Sequence, residues 1–277
     1  MPELPEVEIV VQCLNKLVQG RLIDKAELRR KLLAPDMSPR VFASRLRGSV
    51  INLVHRRGKH ILFDLDNGRT LITHLRMSGR FMLLNGDDID PKFWHAVFHL
   101  SDGEQLVFQD TRHFGLMKVV DTAKLFESKE LAKLAPEPFS AEFDDDQFYG
   151  TLQTSKREIK LVLLDQTKIC GVGNIYASEA LFLSGIDPRT PANRVSKKRT
   201  AALRTAVVDV LSETIQLGKN IPLDRSNIGG NVYGAGSDGD WRIYGREKQP
   251  CTSCGGEIKR LVQGGRSTFY CRKCQRR

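Results

Sequence analysis

Residues 50–84 read VINLVHRRGKHILFDLDNGRTLITHLRMSGRFMLL, and the spacing of their apolar runs decides the fold class. The runs at 50–54, 61–65, 70–75 and 79–84 are five or six residues long, strand length rather than helix length. Asp66-Asn67-Gly68 separates two of them, and Asn85-Gly86 and Ser101-Asp102-Gly103 are turn signals further on. Two more runs follow at 95–100 and 106–109. Short strands at such close spacing predict an antiparallel sandwich or flattened barrel rather than a parallel α/β sheet.

Outward from that block the pattern changes on both sides. Upstream, Val7, Val10, Val11, Leu14, Leu17 and Val18 recur at helical spacing, with Pro5 suited to a first turn and Gly20 to a stop. Downstream, the two prolines of Ala135-Pro136-Glu137-Pro138 disfavour both helix and central strand and read as a linker. Helical patterns then cover about 144–154, 156–165, 175–184 and 196–217, and 218–240 is a glycine-rich stretch without a period, expected to be a loop. The expected class is therefore α+β. An N-terminal β-sandwich domain at 1–131 is followed by a linker at 132–143, a helical domain at 144–245 and a four-cysteine finger at 246–277.

The 277 residues are 40% hydrophobic and 27% charged, which excludes disorder as a class, and no uncharged apolar run approaches the ~18 residues of a membrane span. The start Met1-Pro2-Glu3-Leu4-Pro5-Glu6 lacks the basic and apolar regions of a secretory signal, so a soluble cytoplasmic protein with reduced thiols is expected. A net charge of +10 points to a polyanionic partner, most often nucleic acid. Most of the excess lies at 246–277, with nine basic residues against Glu247 and Glu257. The acidic groups Asp87, Asp88, Asp90 and Asp144-Asp145-Asp146 fall in turn-like stretches and read as solvated.

Four constellations carry chemistry. Cys251-x2-Cys254 and Cys271-x2-Cys274 are two knuckles that supply the four thiolates of a tetrahedral Zn²⁺ site, structural because no coordination position stays open. Between them Gly264-Gly265 reads as a hairpin tip with Arg266 just after it, while Cys13 and Cys170 read as core filler. Loss of Met1 would leave Pro2 as a secondary amine with a pKa near ~8, able to attack a sugar C1′, and Glu3 and Glu6 supply nearby carboxyls for protonating an opening ring. Read alone, the same residues are ordinary helix-start usage. Gly171-Val172-Gly173-Asn174 between two helices lets backbone approach a phosphate, or is simply a tight turn. Met77 and the segment Asp110-Thr111-Arg112-His113-Phe114-Gly115 supply the residue types that fill the hole left by an extruded nucleotide; read alone, Met77 and Phe114 are core and Arg112 a surface charge. Arg56-Arg57-Gly58-Lys59-His60 adds a basic stretch at a strand start.

Taken jointly, these motifs closely resemble those of bacterial formamidopyrimidine-DNA glycosylases, also called 8-oxoguanine DNA glycosylases. The resemblance rests on Pro2-Glu3-Leu4-Pro5-Glu6-Val7-Glu8, Arg57-Gly58-Lys59, His74-Leu75-Arg76-Met77-Ser78-Gly79, Asp110-x-Arg112-x-Phe114-Gly115, Gly173-Asn174-Ile175-Tyr176, Tyr244-Gly245-Arg246 and the cysteine finger, in that order along nearly the whole chain. It implies a β-sandwich followed by a helix–two-turns–helix domain and one structural zinc, in a monomeric enzyme on damaged double-stranded DNA, with no membrane partner. The activity it implies is a bifunctional glycosylase and abasic-site lyase for oxidised purines. By resemblance Pro2 is the Schiff-base nucleophile, Glu3 the acid that opens the sugar, Lys59 a phosphate contact assigned to β-elimination and Arg266 one linked to δ-elimination. His74, Lys156, Asn174 and Tyr244 match DNA-backbone contacts, and Met77, Arg112 and Phe114 match the gap-filling residues, with Arg112 facing the orphaned cytosine. The sister endonuclease VIII group, for oxidised pyrimidines, fits less well, and a zinc-finger DNA-binding protein without catalysis is the alternative from another class. Three departures stand out: Phe93 where the family often has a histidine, Ala135 where a glycine is usual, and Gly218-Lys219-Asn220-Ile221-Pro222 at the start of the loop that caps the lesion in the family.

Overall fold

The computed structural model describes residues 1–85, 92–220, 222–228 and 241–277. The expected Asn85-Gly86 turn, the acidic group at Asp87, Asp88 and Asp90, and most of the loop at 218–240 therefore lie outside the described residues. The chain divides into two units. The first holds Met1–Ala132 with Gly218–Ala235, and the second holds Lys133–Leu217 with Gly236–Arg277.

The first unit opens with helix α1 (Leu4–Val18), then strand β1 (Leu22–Leu28), helix α2 (Pro39–Leu46) and strands β2 (Ser49–Arg57), β3 (His60–Leu65), β4 (Arg69–His74), β5 (Gly79–Leu84), β6 (Trp94–Leu100), β7 (Gln105–Asp110) and β8 (Leu116–Asp121). The strands form one antiparallel sheet in the order β5-β7-β6-β1-β2-β3-β4-β8. Laid flat, the five steps from β5 to β3 would separate those strands by about 24 Å. Yet Phe63 on β3 and Phe81 on β5 have ring centroids 5.5 Å apart, so the sheet folds over itself. The bend lies at the β1–β2 pair, joined only by Leu22↔Val50 and Ile23↔Ser49. The expected sandwich is thus two halves of one continuous sheet. Its interior holds Phe63, Phe81, Phe98, Phe108, Leu71 and Met117, closed by Val7, Val10 and Leu14 of α1 and by Phe42 of α2.

Three elements here carry no clear signal in the sequence. In β1 a register shift between Ile23 and Lys25 breaks the two-residue alternation that would reveal a strand. Helix α2 buries only Phe42 and Leu46, too few positions to show a period. Strand β8 buries Met117 and Val119 alone among mostly half-exposed neighbours.

The second unit contains α3 (Asp145–Gln153), α4 (Ile159–Leu163), α5 (Asn174–Leu183), α6 (Lys197–Gly218) and a finger hairpin of β9 (Ile258–Gln263) and β10 (Arg266–Cys271). The acidic run at its start is solvated as expected, but it caps and opens a helix rather than forming a turn. Asp144 accepts from the Gln147 N–H at 2.7 Å, and Asp145 and Asp146 in the first turn pair with Arg204 and Lys197. The helix expected at 156–165 is shorter, because Glu158 bridges to Pro191 before the first turn of α4. Gly264 and Gly265, at φ +54° and +73°, make the two-residue hairpin tip, a geometry that needs positive φ at both central residues.

Candidate functional site

In the first unit the start of α1 is buried. Pro2 precedes it, and Glu3 and Glu6 form a reciprocal capping box, the Glu3 N–H donating to Glu6 Oε2 at 2.8 Å. Both carboxyl groups are almost removed from solvent, with Glu3 4% and Glu6 7% exposed. One turn on, Glu8 accepts from Arg56 Nε at 2.6 Å, which pins α1 to the end of β2. That strand turns into β3 through Gly58-Lys59, where Gly58 at φ +59° takes the first central position that glycine suits. Lys59 at this tip is buried. Its neighbour His60 lies across the ladder from His74, the two rings edge-to-face with centroids 4.8 Å apart.

His74 Nδ1 accepts from the Arg76 N–H at 2.9 Å, so a neutral His74 carries its proton on Nε2. Burial, with the facing His60 and the cations Arg76 and Lys59 close by, holds its pKa well below the usual histidine range. His74 is therefore a neutral N–H donor at this position rather than a cation. Burial likewise lowers the His60 pKa to about 4.

Beyond His74 the β4–β5 turn puts Arg76 at φ +56° and leaves Met77 exposed. The loop from β7 to β8 lies beside it because the fully buried Asp110 carboxylate binds both. Asp110 Oδ1 accepts from the Ser78 hydroxyl and from the Arg112 N–H at 3.1 Å, and Oδ2 accepts from the Gly115 N–H at 2.7 Å. The Arg112 N–H also reaches Ser78 Oγ at 3.0 Å. Gly79 and Gly115 are required where these loops leave the sheet, since a Cβ on either would lie 2.7 Å from Phe108 Cζ. Met77, Arg112 and Phe114 thus belong to two turns held together from beneath. Met77 is 42% and Phe114 52% exposed, which excludes the reading of both as core. The Arg112 guanidinium stacks 5.3 Å from the Phe114 ring centroid and has no ion-pair partner among the described residues.

In the second unit α5 carries two anchors. Its first residue, Asn174, donates from Nδ2 to the Ser267 carbonyl at 3.0 Å and to the Tyr244 hydroxyl at 3.4 Å, while its Oδ1 is buried with no protein partner. In this orientation a phosphate contact through Asn174 requires its amide to turn over. Glu179, fully buried on the same helix, accepts from the backbone N–H groups of Arg242, Ile243 and Tyr244 at 2.9–3.0 Å, and so fixes the approach to Tyr244. Burial pushes its carboxyl pKa up. Lys156 stands exposed before α4.

Sequence reasoning missed Lys160. It is fully buried and donates to the hydroxyls of Ser178 and Thr268, both at 2.9 Å, and to the Ser267 carbonyl at 3.2 Å, joining α4, α5 and the finger. A lysine inside the apolar run Ile159–Leu163 was its signal. Glu179 and Asp110 were also missed as organising acids; Glu179 carried the same kind of signal, a charge inside the largely apolar run Asn174–Leu183.

The finger's four sulfurs all lie within 4.8 Å of one another, with Cys251–Cys274 at 3.8 Å and Cys254–Cys271 at 3.5 Å. A zinc–sulfur bond of about 2.3 Å gives tetrahedral edges of about 3.8 Å, whereas a disulfide needs about 2.05 Å. The residues fit one structural zinc held by Cys251, Cys254, Cys271 and Cys274. The Gly256 N–H donates to Cys254 Sγ at 3.4 Å and, ahead of the other thiols, brings that thiol's pKa down to about 7, favouring the thiolate that a metal needs. Arg266 starts β10 at the exposed tip, without an ion-pair partner among the described residues.

Three family profiles match the chain: the formamidopyrimidine-DNA glycosylase N-terminal domain over residues 1–117, the H2TH domain of the same enzymes over 134–225, and the zinc finger found in these glycosylases and in isoleucyl-tRNA synthetases over 248–277. The chain belongs to the formamidopyrimidine-DNA glycosylase family. It is 38% identical over 282 residues to the formamidopyrimidine-DNA glycosylase of Bacillus licheniformis, covering 100% of both chains. Among solved structures, the Lactococcus lactis glycosylase in complex with DNA containing an abasic site matches at a TM-score of 0.90 and 31% identity, over 99% of this chain and 100% of that one. The same enzyme in complex with DNA containing an oxidised pyrimidine matches at 0.90 and 31%, over 100% of both chains.

Proposed function

We propose that the protein is a bifunctional DNA glycosylase and abasic-site lyase that removes oxidised purines, 8-oxoguanine and formamidopyrimidines, from duplex DNA in base excision repair. The observation that carries the reading is the buried start of α1, where Pro2 and the desolvated Glu3 and Glu6 stand at the head of a chain related to formamidopyrimidine-DNA glycosylases over its full length. While Met1 is attached, the Pro2 nitrogen is an amide without an available lone pair, so the reading requires Met1 to be removed. The resulting amine attacks C1′ and the damaged base leaves. Glu3 delivers a proton to the opening sugar ring, leaving an iminium between Pro2 and C1′. Loss of a C2′ proton then expels the 3′ phosphate, with Lys59 at that phosphate. The second elimination expels the 5′ phosphate, with Arg266 there. His74, Lys156, Asn174 and Tyr244 hold the DNA backbone, and Met77, Arg112 and Phe114 occupy the gap left by the flipped nucleotide. The zinc supplies no chemistry; when bound it holds the finger. The protein acts as a monomer in the bacterial cytoplasm, with no membrane partner; no described helix is long and apolar enough to cross a membrane.

Borohydride trapping tests the reading. Processed protein incubated with a duplex containing 8-oxoguanine is expected to form a covalent adduct through Pro2, and Pro2→Gly to lose most of it. No adduct from protein whose mass shows Met1 removed would leave a DNA-binding protein without catalysis. The complex of the L. lactis enzyme with oxidised-pyrimidine DNA keeps a second substrate class in view. Competition between 8-oxoguanine and thymine glycol duplexes is expected to favour the purine.

A further inference from the structure

Within the Arg112–Phe114 turn the exposed His113 pairs with a histidine beneath it that the chemistry above does not use. His95, buried on β6, places Nε2 2.8 Å from the Asp110 carbonyl oxygen and 2.8 Å from His113 Nδ1. A carbonyl oxygen only accepts, so a contact this short fixes the His95 proton on Nε2. His113 Nδ1 must then accept, sharing that proton, and a neutral His113 carries its own proton on Nε2. His113 sits at φ +62°, a left-handed conformation uncommon for a residue with a side chain. The Phe93 ring, on a residue itself at φ +70°, lies 5.7 Å from the His113 ring. His113 stands between Arg112 and Phe114, so whatever fixes its ring fixes both of its neighbours.

We propose that His113 is a positioning residue for this turn: its neutral Nδ1, accepting from His95 Nε2–H, holds Arg112 and Phe114 in register. The proposal rests on the reading of these two residues as the group that fills the DNA gap. Without that acceptor the His95 N–H is left to the Asp110 carbonyl alone, and the turn loses its tie to β6. Among the described residues, the titratable and charged groups around the pair are His95 from β6, Asp110 from the end of β7 and Arg112 from the turn itself. Asp110 is committed to Ser78, Arg112 and Gly115, and the Arg112 guanidinium lies on Phe114. Burial lowers the His95 pKa, which favours its neutral form.

The experiment compares wild type with His113→Asn and His113→Gly. Asparagine tolerates the left-handed backbone and offers Oδ1 where imidazole offers Nδ1. Glycine accepts the backbone and offers no acceptor. The readout is the ratio of single-turnover excision rates for 8-oxoguanine opposite cytosine and opposite adenine, which cancels effects common to both duplexes. The ratio of His113→Gly is expected to fall about threefold to tenfold below that of wild type, the worth of one hydrogen bond. His113→Asn should keep a ratio close to wild type. A Gly variant with the wild-type ratio, or an Asn variant as low as Gly, overturns the proposal. A second measurement needs no activity. Long-range ¹H–¹⁵N spectra of the free protein at about pH 8 should show both rings as Nε2–H tautomers, and a His113 protonated on Nδ1 overturns the proposal. If wild type neither excises nor traps, the glycosylase reading fails and these spectra alone decide the histidine bond.

Discussion

At the scale of single residues, Arg112 separates specificity from chemistry. A flipped lesion leaves its partner base without a pairing edge, and a guanidinium stacked on Phe114 with no carboxylate partner among the described residues can donate to the acceptors of an orphaned cytosine. Adenine offers a different pattern, so losing the contact should cost about 1–3 kcal/mol of discrimination, roughly one to two decades. Arg112→Ala is therefore expected to narrow the preference for a lesion opposite cytosine over one opposite adenine, measured by single-turnover excision on both duplexes. An unchanged preference would place Arg112 on the phosphates. Met77, Arg112 and Phe114 were legible only through the joint resemblance, since read alone Met77 and Phe114 pass for core and Arg112 for a surface charge, and only the fold shows Met77 and Phe114 to be exposed. Asp110 was visible only as part of a motif. Its office, accepting from Ser78, Arg112 and Gly115 at once, depends on a fold that buries it.

At the scale of elements, the β3–β4 pair couples the candidate site to stability. His60 and His74 face each other on adjacent strands, and burial lowers the His60 pKa from 6.5 to about 4. Between those values the unfolded chain binds a proton at His60 that the folded chain refuses, so stability is lost as pH falls through this window and is fully present above about 6.5. The shift corresponds to about 3 kcal/mol. His74, lowered in the same direction, adds to the slope. Chemical denaturation of the protein at about pH 7 and about pH 4.5 should show this loss, and His60→Phe, which keeps a ring against His74, should reduce it. Equal slopes for both proteins would mean that His60 titrates alike folded and unfolded. Salt-bridged carboxylates such as Glu27, held down to about 2 chiefly by Lys25, lose their contribution between about 4.5 and about 2 and so overlap this window only at its lower edge. Legibility at this scale followed regularity. Helix α1 keeps its period, and strands β3 to β7 are short, nearly continuous buried runs that stand out between turns, whereas β1 buries only Ile23, Ala26 and Leu28 around a register shift and α2 is too short to show a period. The closure of the sheet at β1–β2 was equally hidden, because it depends on which strands pair and not on any one strand's pattern.

At the scale of the whole molecule, the metal decides whether the second unit presents a surface at all. The finger has a small interior, in which Cys251 and Cys271 pack with Ile258, Phe269, Phe182 and Ile243. Two strands over so few apolar residues do not hold themselves together, and below about 40 residues such folds usually need a metal or disulfides. Structural zinc supplies about 10–16 kcal/mol of apparent binding free energy, which in such a module is folding free energy. The finger in turn satisfies the helical part of its unit. Ser267 accepts from Asn174 and Lys160, Thr268 accepts from Lys160, and Gln275 donates to the Ile186 carbonyl. Removing the metal should therefore release Asn174 and Arg266 together and strand the Lys160 ammonium, while the folded-over sheet of the first unit, which contains no cysteine ligand, keeps its structure. The expected result of chelation, confirmed by elemental analysis, is loss of most DNA affinity with the β-sheet signal in circular dichroism retained. Cys254→Ser should act in the same direction. Salt dependence sharpens the test. The slope of log affinity against log salt scales with the phosphates neutralised, so losing the basic finger should flatten it as well as lower it. Full affinity and an unchanged slope in zinc-free protein would show that the charge of 246–277 is not what holds DNA.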